Sequence, residues 1–140
     1  MTNLEISANY EDEAARLIEQ AGVGDQVTRR LLDIAESPEQ VESADVVVLH
    51  RVVCCYPDYV KLLSAAGSHA TRMLVFSHPG DGVLARAAVW FENSLRRLRG
   101  NSFRAYVHPE AAMVAVAEGQ GFTTQYQQRS GTWHVVGFVR

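Results

Sequence analysis

The chain has 140 residues, a formal charge of −3, and 47% hydrophobic and 21% charged residues. This length fits one domain, and the composition is that of an ordinary soluble globular protein. The mild acidity argues against general nucleic-acid binding, and no apolar run is long enough to predict a membrane span. The acidic N-terminus does not fit a secretory signal, and the only cysteines, Cys54 and Cys55, are adjacent. We therefore expect reduced thiols in a cytoplasmic protein.

The first third of the chain is predicted to alternate short strands and helices. An acidic first turn, apolar residues at helical spacing and closing glycines indicate a helix from Tyr10 to Gln20. The clearest strand is Ala44–Leu49, whose β-branched run is typical of strands covered on both faces. The other elements predicted here are a strand at Leu4–Ile6, a strand at Val27–Ile34 and a helical turn within Ser37–Val41.

The rest of the chain continues this alternation and closes with a hairpin. The long amphipathic helix Val83–Leu98 is followed by Gly100. Arg129-Ser130-Gly131 joins two strand-like runs and predicts a β-hairpin. The other predicted elements are a helix over Tyr59–Ala66, a buried strand at Met73–Phe76, an extended piece at Phe103–Val107, a helix from Pro109 to Glu118, and the hairpin strands Phe122–Gln128 and Thr132–Val139.

Strand–helix alternation predicts an α/β fold with a mostly parallel sheet. Ligands of such sheets bind beyond the carboxyl ends of the strands. This rule directs attention to four residues at or just after strand ends: Glu5, Asp33, His50 and Ser77.

Two of these residues are carboxylates with two interpretations each. Glu5 is positioned to accept hydrogen bonds from a ribose diol, with Ile6 packing on an adenine; alternatively it is an exposed charge leading a helix. Asp33 is positioned to accept from an adenine amino group; alternatively it is an ordinary turn residue bonded to its own backbone. Taken singly, each residue is better explained by the structural alternative.

The segment after the clearest strand is chemically richer. It places His50, Arg51 and the cysteine pair Cys54 and Cys55 directly after Leu49. Adjacent cysteines do not suit a tetrahedral zinc site, and nothing orients His50 toward a nucleophilic thiol. Ligand contact by His50 and Arg51, with both cysteines as small packing residues, remains as an interpretation.

Two further histidines lie in or beside predicted strands. His78 ends the next strand and could face the same cleft, although a lone loop histidine is usually a surface residue. In Trp133-His134, strand alternation points one side chain inward and the other outward, and nothing in the pattern requires chemistry.

Together these segments resemble the class I S-adenosylmethionine-dependent methyltransferases, and small bacterial methyltransferase-like or magnesium-protoporphyrin O-methyltransferase-like members in particular. The resemblance covers nearly the whole chain, and its most specific part is the run with His-Arg and paired cysteines. The segments that carry it are Asn3–Ser7, Leu31–Ile34, Ala44–Asp58 and Leu74–Ser77.

The resemblance implies a Rossmann-like fold, S-adenosylmethionine as cofactor and a small-molecule methyl acceptor. Glu5 and Ile6 would bind the ribose hydroxyls and the adenine. Asp33 and Ile34 would meet the adenine amino group and ring edge. Leu49, His50 and Arg51 would border the methionine end, and His50 or His78 would act as a base if the acceptor must lose a proton. No metal is implied.

The sequence departs from the family pattern at its beginning. Class I methyltransferases carry a strand and a Gly-rich loop ahead of the acidic residue that Glu5 matches, and only four residues precede Glu5 here. We expect an N-terminally incomplete domain over residues 1–140, derived by truncation from an intact methyltransferase. The chain could instead be a remnant that no longer methylates, or an obligatory oligomer in which a second chain fills the gap at the exposed strand edges.

Three hypotheses about function follow. The leading one is a methyltransferase, or its C-terminal portion, that acts on a small molecule. The alternative is a non-catalytic α/β module that pairs with a partner chain to complete its sheet. A third, a cysteine-dependent enzyme, depends on Cys54 and Cys55 alone.

Overall fold

The computed structural model describes residues 1–140 as two compact units, residues 1–41 and residues 42–140. The first is small and the second contains most of the regular structure. Each unit has its own β-sheet.

The first unit combines a parallel two-stranded sheet with one helix. Strand β1 spans Thr2–Glu5 and β2 spans Thr28–Leu31, with Glu5 opposite Leu31. Helix α1 spans Glu11–Ala21, within one residue of the predicted helix. The predicted strand Val27–Ile34 is too long because the chain leaves the ladder after Leu32 N–H donates to the Glu5 carbonyl at 2.9 Å.

Local sequence explains the ends of α1. Three acidic residues occupy its first turn, where the helix dipole favours negative charge. Gly22 ends the helix in the left-handed region at φ 65°, and its N–H donates to the Glu19 carbonyl at 3.0 Å. Glycine adopts this conformation without a Cβ penalty, so the helix stops where the sequence predicted.

The second unit is built on a four-stranded mixed sheet with the order β3-β4-β6-β5. Strands β3 and β4 are parallel, whereas β6 lies antiparallel to both β4 and β5. The protein therefore has the predicted mixed α/β fold with a C-terminal antiparallel hairpin. The strands span Ala44–Leu49 (β3), Ala70–Pro79 (β4), Thr123–Ser130 (β5) and Trp133–Val139 (β6).

Three helices complete this unit: α2 over Tyr59–His69, α3 over Val83–Leu98 and α4 over Glu110–Glu118. The Asp58 side chain caps α2 by accepting from Lys61 N–H at 3.0 Å. Helix α2 packs against α4 and β4. The largest fully buried apolar side chains of this core are Val53, Leu63, Leu74, Phe76, Met113, Val136 and Phe138.

Strand β3 is less covered than its sequence predicted. Val46 and Val48 are 49% and 60% exposed, whereas Leu49 is buried. The strand is hydrogen-bonded only to β4, so it forms an edge of the sheet. The face that carries Val46 and Val48 is open to solvent. The prediction of a strand covered on both faces is therefore wrong: the strand alternates in burial, although both of its faces are apolar in sequence.

Residues Phe103–Val107, predicted as an extended piece, belong to no strand or helix, and the Asn93 side chain holds the backbone of Ala105 through bonds of 2.8 and 3.0 Å. One other local prediction is wrong. The hairpin turn is Gly131-Thr132, not Arg129-Ser130-Gly131, because β5 continues to Ser130. Gly131 has φ 57°, as a tight two-residue hairpin requires.

Helix α3 has the predicted bounds, and its apolar side chains are open to solvent. None of its residues is buried, and Leu84, Trp90 and Leu98 are exposed. No helix of the protein is both long enough and apolar enough to cross a membrane.

Candidate functional site

In the first unit, Glu5 lies at the carboxyl end of β1 and binds the backbone that follows it. Its Oε1 accepts from the N–H groups of Ile6 and Ser7, both at 2.9 Å. Its other oxygen, Oε2, makes no hydrogen bond. The neighbouring Ile6 side chain is 60% exposed.

Asp33 follows β2 and forms a turn. Its Oδ1 accepts from Ala35 N–H at 2.9 Å, and its carbonyl accepts from Glu36 and Ser37. This is the side-chain-to-backbone bond of an Asx turn, which also fixes the direction of the carboxylate. Ile34, the next residue, is half-buried.

In the second unit, the carboxyl end of β3 carries three predicted site residues, and their surroundings are ordered by Ser77 of β4. Leu49 is buried, whereas His50 and Arg51 are exposed. Ser77 Oγ accepts from Arg51 N–H at 2.9 Å and lies 3.4 Å from His50 Nδ1. One buried hydroxyl thus fixes the backbone of Arg51 and contacts the ring of His50.

Arg51 is fixed at both its backbone and its side chain. It is the single non-glycine residue with positive φ, at 56°, a conformation that costs about 1 kcal/mol or more. Its guanidinium lies over the Trp133 ring, 4.4 Å from the centroid. Strain of this kind persists where the surrounding structure holds a residue in place, and it is common at functional sites.

The cysteine pair has the properties of packing residues rather than of a nucleophile. The Sγ atoms of Cys54 and Cys55 lie 3.7 Å apart, and both thiols are free. Burial first, and the Cys55 thiol second, raise the pKa of Cys54 to about 12. The reactive form of cysteine is the thiolate, so this environment argues against a cysteine-dependent enzyme.

His78 meets two residues that the sequence did not connect with it. The register of β4 and β6 pairs His78 with His134, and Glu110 opens α4 beside them. Glu110 Oε2 lies 2.7 Å from His134 Nδ1 and 3.4 Å from His78 Nε2. These three residues, here called the His78 cluster, keep one potential ligand atom each within 4.8 Å of the others.

In the His78 cluster, burial and the neighbouring charged or hydrogen-bonding groups shift each pKa in opposite directions. Burial alone would raise the pKa of Glu110, but the hydrogen bonds from His134 and Arg129 lower it below its usual value. Burial lowers the pKa of His78, although its bond to the Pro79 carbonyl and the charge of Glu110 oppose this shift. Glu110 is therefore an ionised carboxylate beside a neutral, buried His78 at neutral pH.

Sequence reasoning overlooked Glu110 and assigned no chemistry to His134. They are 24 residues apart in the chain, and Glu110 is 32 residues from His78. Only the β4–β6 register and the start of α4 bring the three together. The sequence offered one signal for this cluster: each of its three polar residues lies at or near the end of a predicted strand or helix.

Two open surface depressions, of about 340 and 360 Å³, lie away from all of these residues. One is at the amino end of β4, lined by Arg72 and Met73, and the other is beside α3. Neither is lined by a predicted site residue, so the chemistry of the strand ends is a better guide to function than cavity size.

Solved structures share this fold across nearly the whole chain. Magnesium protoporphyrin IX methyltransferase from Synechocystis PCC 6803, with bound SAH, superimposes at a TM-score of 0.75 and 23% identity over 99% of this chain. The same enzyme with bound SAM gives a TM-score of 0.72 and 22% identity, also over 99% of this chain. An O-methyltransferase family protein from Burkholderia thailandensis gives a TM-score of 0.78 at 16% identity, again over 99% of this chain.

The chain is shorter than these neighbours. It spans 63% and 58% of the two Synechocystis chains and 43% of the Burkholderia chain. No protein-family model matches the sequence, and no curated protein is significantly similar to it. At these identities the likeness establishes the fold alone, an α/β fold that the chain shares with these methyltransferases.

Proposed function

We propose that this chain is an S-adenosylmethionine-dependent methyltransferase domain, or the C-terminal portion of one, that acts on a small-molecule acceptor. The observation that supports this most strongly is the likeness in fold over 99% of the chain to methyltransferases, including one enzyme seen with both SAM and SAH. The polar residues at the carboxyl ends of β1, β2 and β3 support it independently, because ligands of parallel α/β sheets bind there.

In the first unit, we assign cofactor contacts to Glu5, Ile6, Asp33 and Ile34. Glu5 is suited to a ribose diol because Oε1 is held by two backbone N–H groups while Oε2 makes no hydrogen bond. The exposed side chain of Ile6 offers an apolar surface to an adenine face. Asp33 and Ile34 would meet the adenine amino group and the ring edge.

In the second unit, we assign Leu49, His50 and Arg51 to the methionine end of the cofactor. The positive φ of Arg51, held by Ser77, turns the backbone sharply after β3. Such a turn brings backbone groups close to a ligand at the strand end. The stacking of Arg51 on Trp133 limits the directions that its guanidinium can take.

S-adenosylmethionine supplies an activated methyl group on a sulfonium, so the protein mainly has to position the acceptor and, for some acceptors, remove a proton. Of the two histidines predicted as bases, His50 suits this role better because it is exposed. In the tautomer whose Nδ1–H donates to Ser77 Oγ, the Nε2 of His50 keeps a lone pair for the acceptor proton. His78 is only 2% exposed, so an acceptor would have less access to it.

Calorimetric titration of the full chain with S-adenosylmethionine tests the cofactor assignment. We expect saturable heat in the wild type, and on the order of tenfold weaker binding in Glu5→Gln and Asp33→Asn, since each loses a charge-assisted hydrogen bond. Asp25→Asn, an exposed carboxylate of the same unit, is the matched control and should bind like the wild type. Absence of heat and of thermal stabilisation at millimolar cofactor would contradict the proposal for this chain.

We also propose that β3 pairs with a further strand, from a second copy or another chain. This edge has one hydrogen-bonded neighbour and carries the exposed Val46 and Val48, a combination that favours strand addition. Sedimentation velocity should show a dimer that Val46→Lys weakens; a monomer at all concentrations would exclude self-pairing. A dimer that binds no cofactor would favour the non-catalytic pairing module instead.

We further propose that the protein resides in the cytoplasm. The supporting observation is that both cysteines are free thiols. Fractionation of the native host with an antibody against the chain would check this, and recovery in an extracellular fraction would contradict it.

A further inference from the structure

The His78 cluster contains an unusual contact between two hydrogen-bond acceptors. His78 Nδ1 lies 2.9 Å from the Pro79 carbonyl oxygen, which can only accept, so Nδ1 carries the ring proton. Nε2 then presents a lone pair to Glu110 Oε2 at 3.4 Å. His78 is 2% exposed and its Nε2 has no hydrogen-bond partner, so water does not relieve the contact.

A proton on Nε2 does not account well for this contact. A charge-assisted N–H···O bond between imidazolium and carboxylate is about 2.7–2.9 Å long. The observed 3.4 Å is longer than such a bond, and the geometry is not that of a hydrogen bond. A cation lying between the two atoms would satisfy both lone pairs at this separation.

The groups that hydrogen-bond to the His78 cluster orient its side chains, as the neighbours of metal ligands do in known metal sites. The bond from His78 Nδ1–H to a backbone carbonyl fixes the tautomer and leaves Nε2 as the ligand atom, a common arrangement around bound metals. Glu110 is held at its backbone by Asp81 Oδ2, which accepts from its N–H at 3.1 Å. Its Oε1 is held by Arg129 at 3.3 Å, which leaves Oε2 directed at the two rings.

We propose that His78 Nε2, Glu110 Oε2 and His134 Nδ1 bind a divalent zinc-type ion, which displaces the proton that His134 Nδ1 donates to Glu110. Two imidazole nitrogens and one carboxylate oxygen form a donor set that suits Zn²⁺. Ligand atoms about 2.0–2.1 Å from a tetrahedral zinc lie about 3.3–3.4 Å from each other. The His78–Glu110 pair already has this separation at 3.4 Å, and the His134–Glu110 pair, at 2.7 Å, must open slightly.

Three protein ligands leave a fourth position on such an ion. The side chains of Glu110 and His134 are 14% and 16% exposed, so the cluster is reached from the solvent on their side. A water or an oxygen atom of a small molecule would complete the coordination there. This site is independent of the methyltransferase proposal, because its ligands include none of the residues assigned to the cofactor.

Zinc competition between the full chain and a chromophoric chelator at neutral pH tests the proposal. We expect one Zn²⁺ per wild-type chain, and affinity lower by about 100-fold or more in Glu110→Gln and in His134→Asn, because each removes a ligand. His69→Gln removes a histidine of the same unit outside the cluster and should leave the affinity unchanged. Far-UV circular dichroism establishes that each variant is folded before titration.

Cobalt provides a second readout in the same samples. Co²⁺ in the wild type should give the intense visible bands of a four-coordinate ion, and these should be lost or shifted in both cluster variants but not in His69→Gln. Absence of stoichiometric zinc binding by the folded wild type would overturn the proposal. So would equal affinity in the wild type, Glu110→Gln and His134→Asn, since the metal would then bind elsewhere.

Discussion

The two units fix their polar side chains in different ways. In residues 1–41, Glu5 and Asp33 bond to backbone groups one or two residues away. In residues 42–140, Ser77 bonds to a residue 26 positions away and Glu110 to one 24 positions away. The first unit therefore presents carboxylates through local turns, whereas the second builds its side-chain clusters from tertiary packing.

Burial follows the same division. Every buried apolar residue except Ala35 belongs to residues 42–140. The first unit has two strands and one helix, and Leu17 and Leu31 are both more than half exposed. A two-stranded sheet with so little buried apolar surface is only marginally stable on its own. We therefore expect ligand binding to order the first unit more than the second.

The largest effect that tests this comparison is on the free energy of unfolding. Phe138 is fully buried and its ring lies 5.3 Å from that of Phe76. Phe138→Ala should destabilise the protein by about 3–5 kcal/mol, through lost burial and the cavity left behind. Leu17→Ala, at a 51% exposed position of α1, should cost less than about 0.5 kcal/mol. Urea titration measures both, and similar losses would contradict the division.

The next largest expected effect is on the rate at which cysteine thiols are alkylated. With its pKa raised to about 12, Cys54 should be alkylated about a hundredfold more slowly at pH 8 than a cysteine placed at the exposed Gln20 of α1. A chain with Gln20→Cys alone keeps the Cys55 thiol that helps to raise this pKa, and peptide mapping with fragmentation measures the rates of Cys54 and of the introduced cysteine together. The Cys54 rate should rise about tenfold per pH unit through pH 10, because the thiolate fraction is far from saturation. A plateau below pH 9 would show that the thiol is not held in its neutral form.

Amide hydrogen exchange sharpens the comparison across the backbone. Amides of β4, which is hydrogen-bonded on both sides, should exchange at least about tenfold more slowly than those of β1 and β2. Saturating S-adenosylmethionine should slow exchange in β1 and β2 more than in β4. Uniform protection before addition of ligand would mean that the two units unfold together.

Elements with strong local signals were predictable from the sequence. Val83–Leu98 and Ala44–Leu49 have their predicted bounds, because a long amphipathic pattern and a β-branched run each specify one structure. The mixed α/β fold followed from the order of these elements. The burial of β3 and of α3 could not be predicted in this way, since both depend on which neighbours cover them.

The residues of the candidate site also differ in whether local sequence patterns could identify them. His50 and Arg51 were identified because they directly follow a clear strand. Glu110 and His134 were not, because their meeting with His78 depends on the antiparallel register of β4 and β6 and on the start of α4. Sequence patterns specify which face of a strand is apolar, but not which residue of a distant strand lies opposite.

The smallest effect compares one serine from each unit. Ser77 is 4% exposed, and Ser77→Ala leaves the N–H of the strained Arg51 without its partner, which should cost about 1–2 kcal/mol. Ser7 accepts from Asn9 N–H at 3.4 Å, two residues away, and Ser7→Ala should cost about 0.5 kcal/mol, the low end for a helix cap. Urea titration measures both variants. A larger loss for Ser7→Ala than for Ser77→Ala would mean that local capping, and not contact between β3 and β4, contributes more to stability.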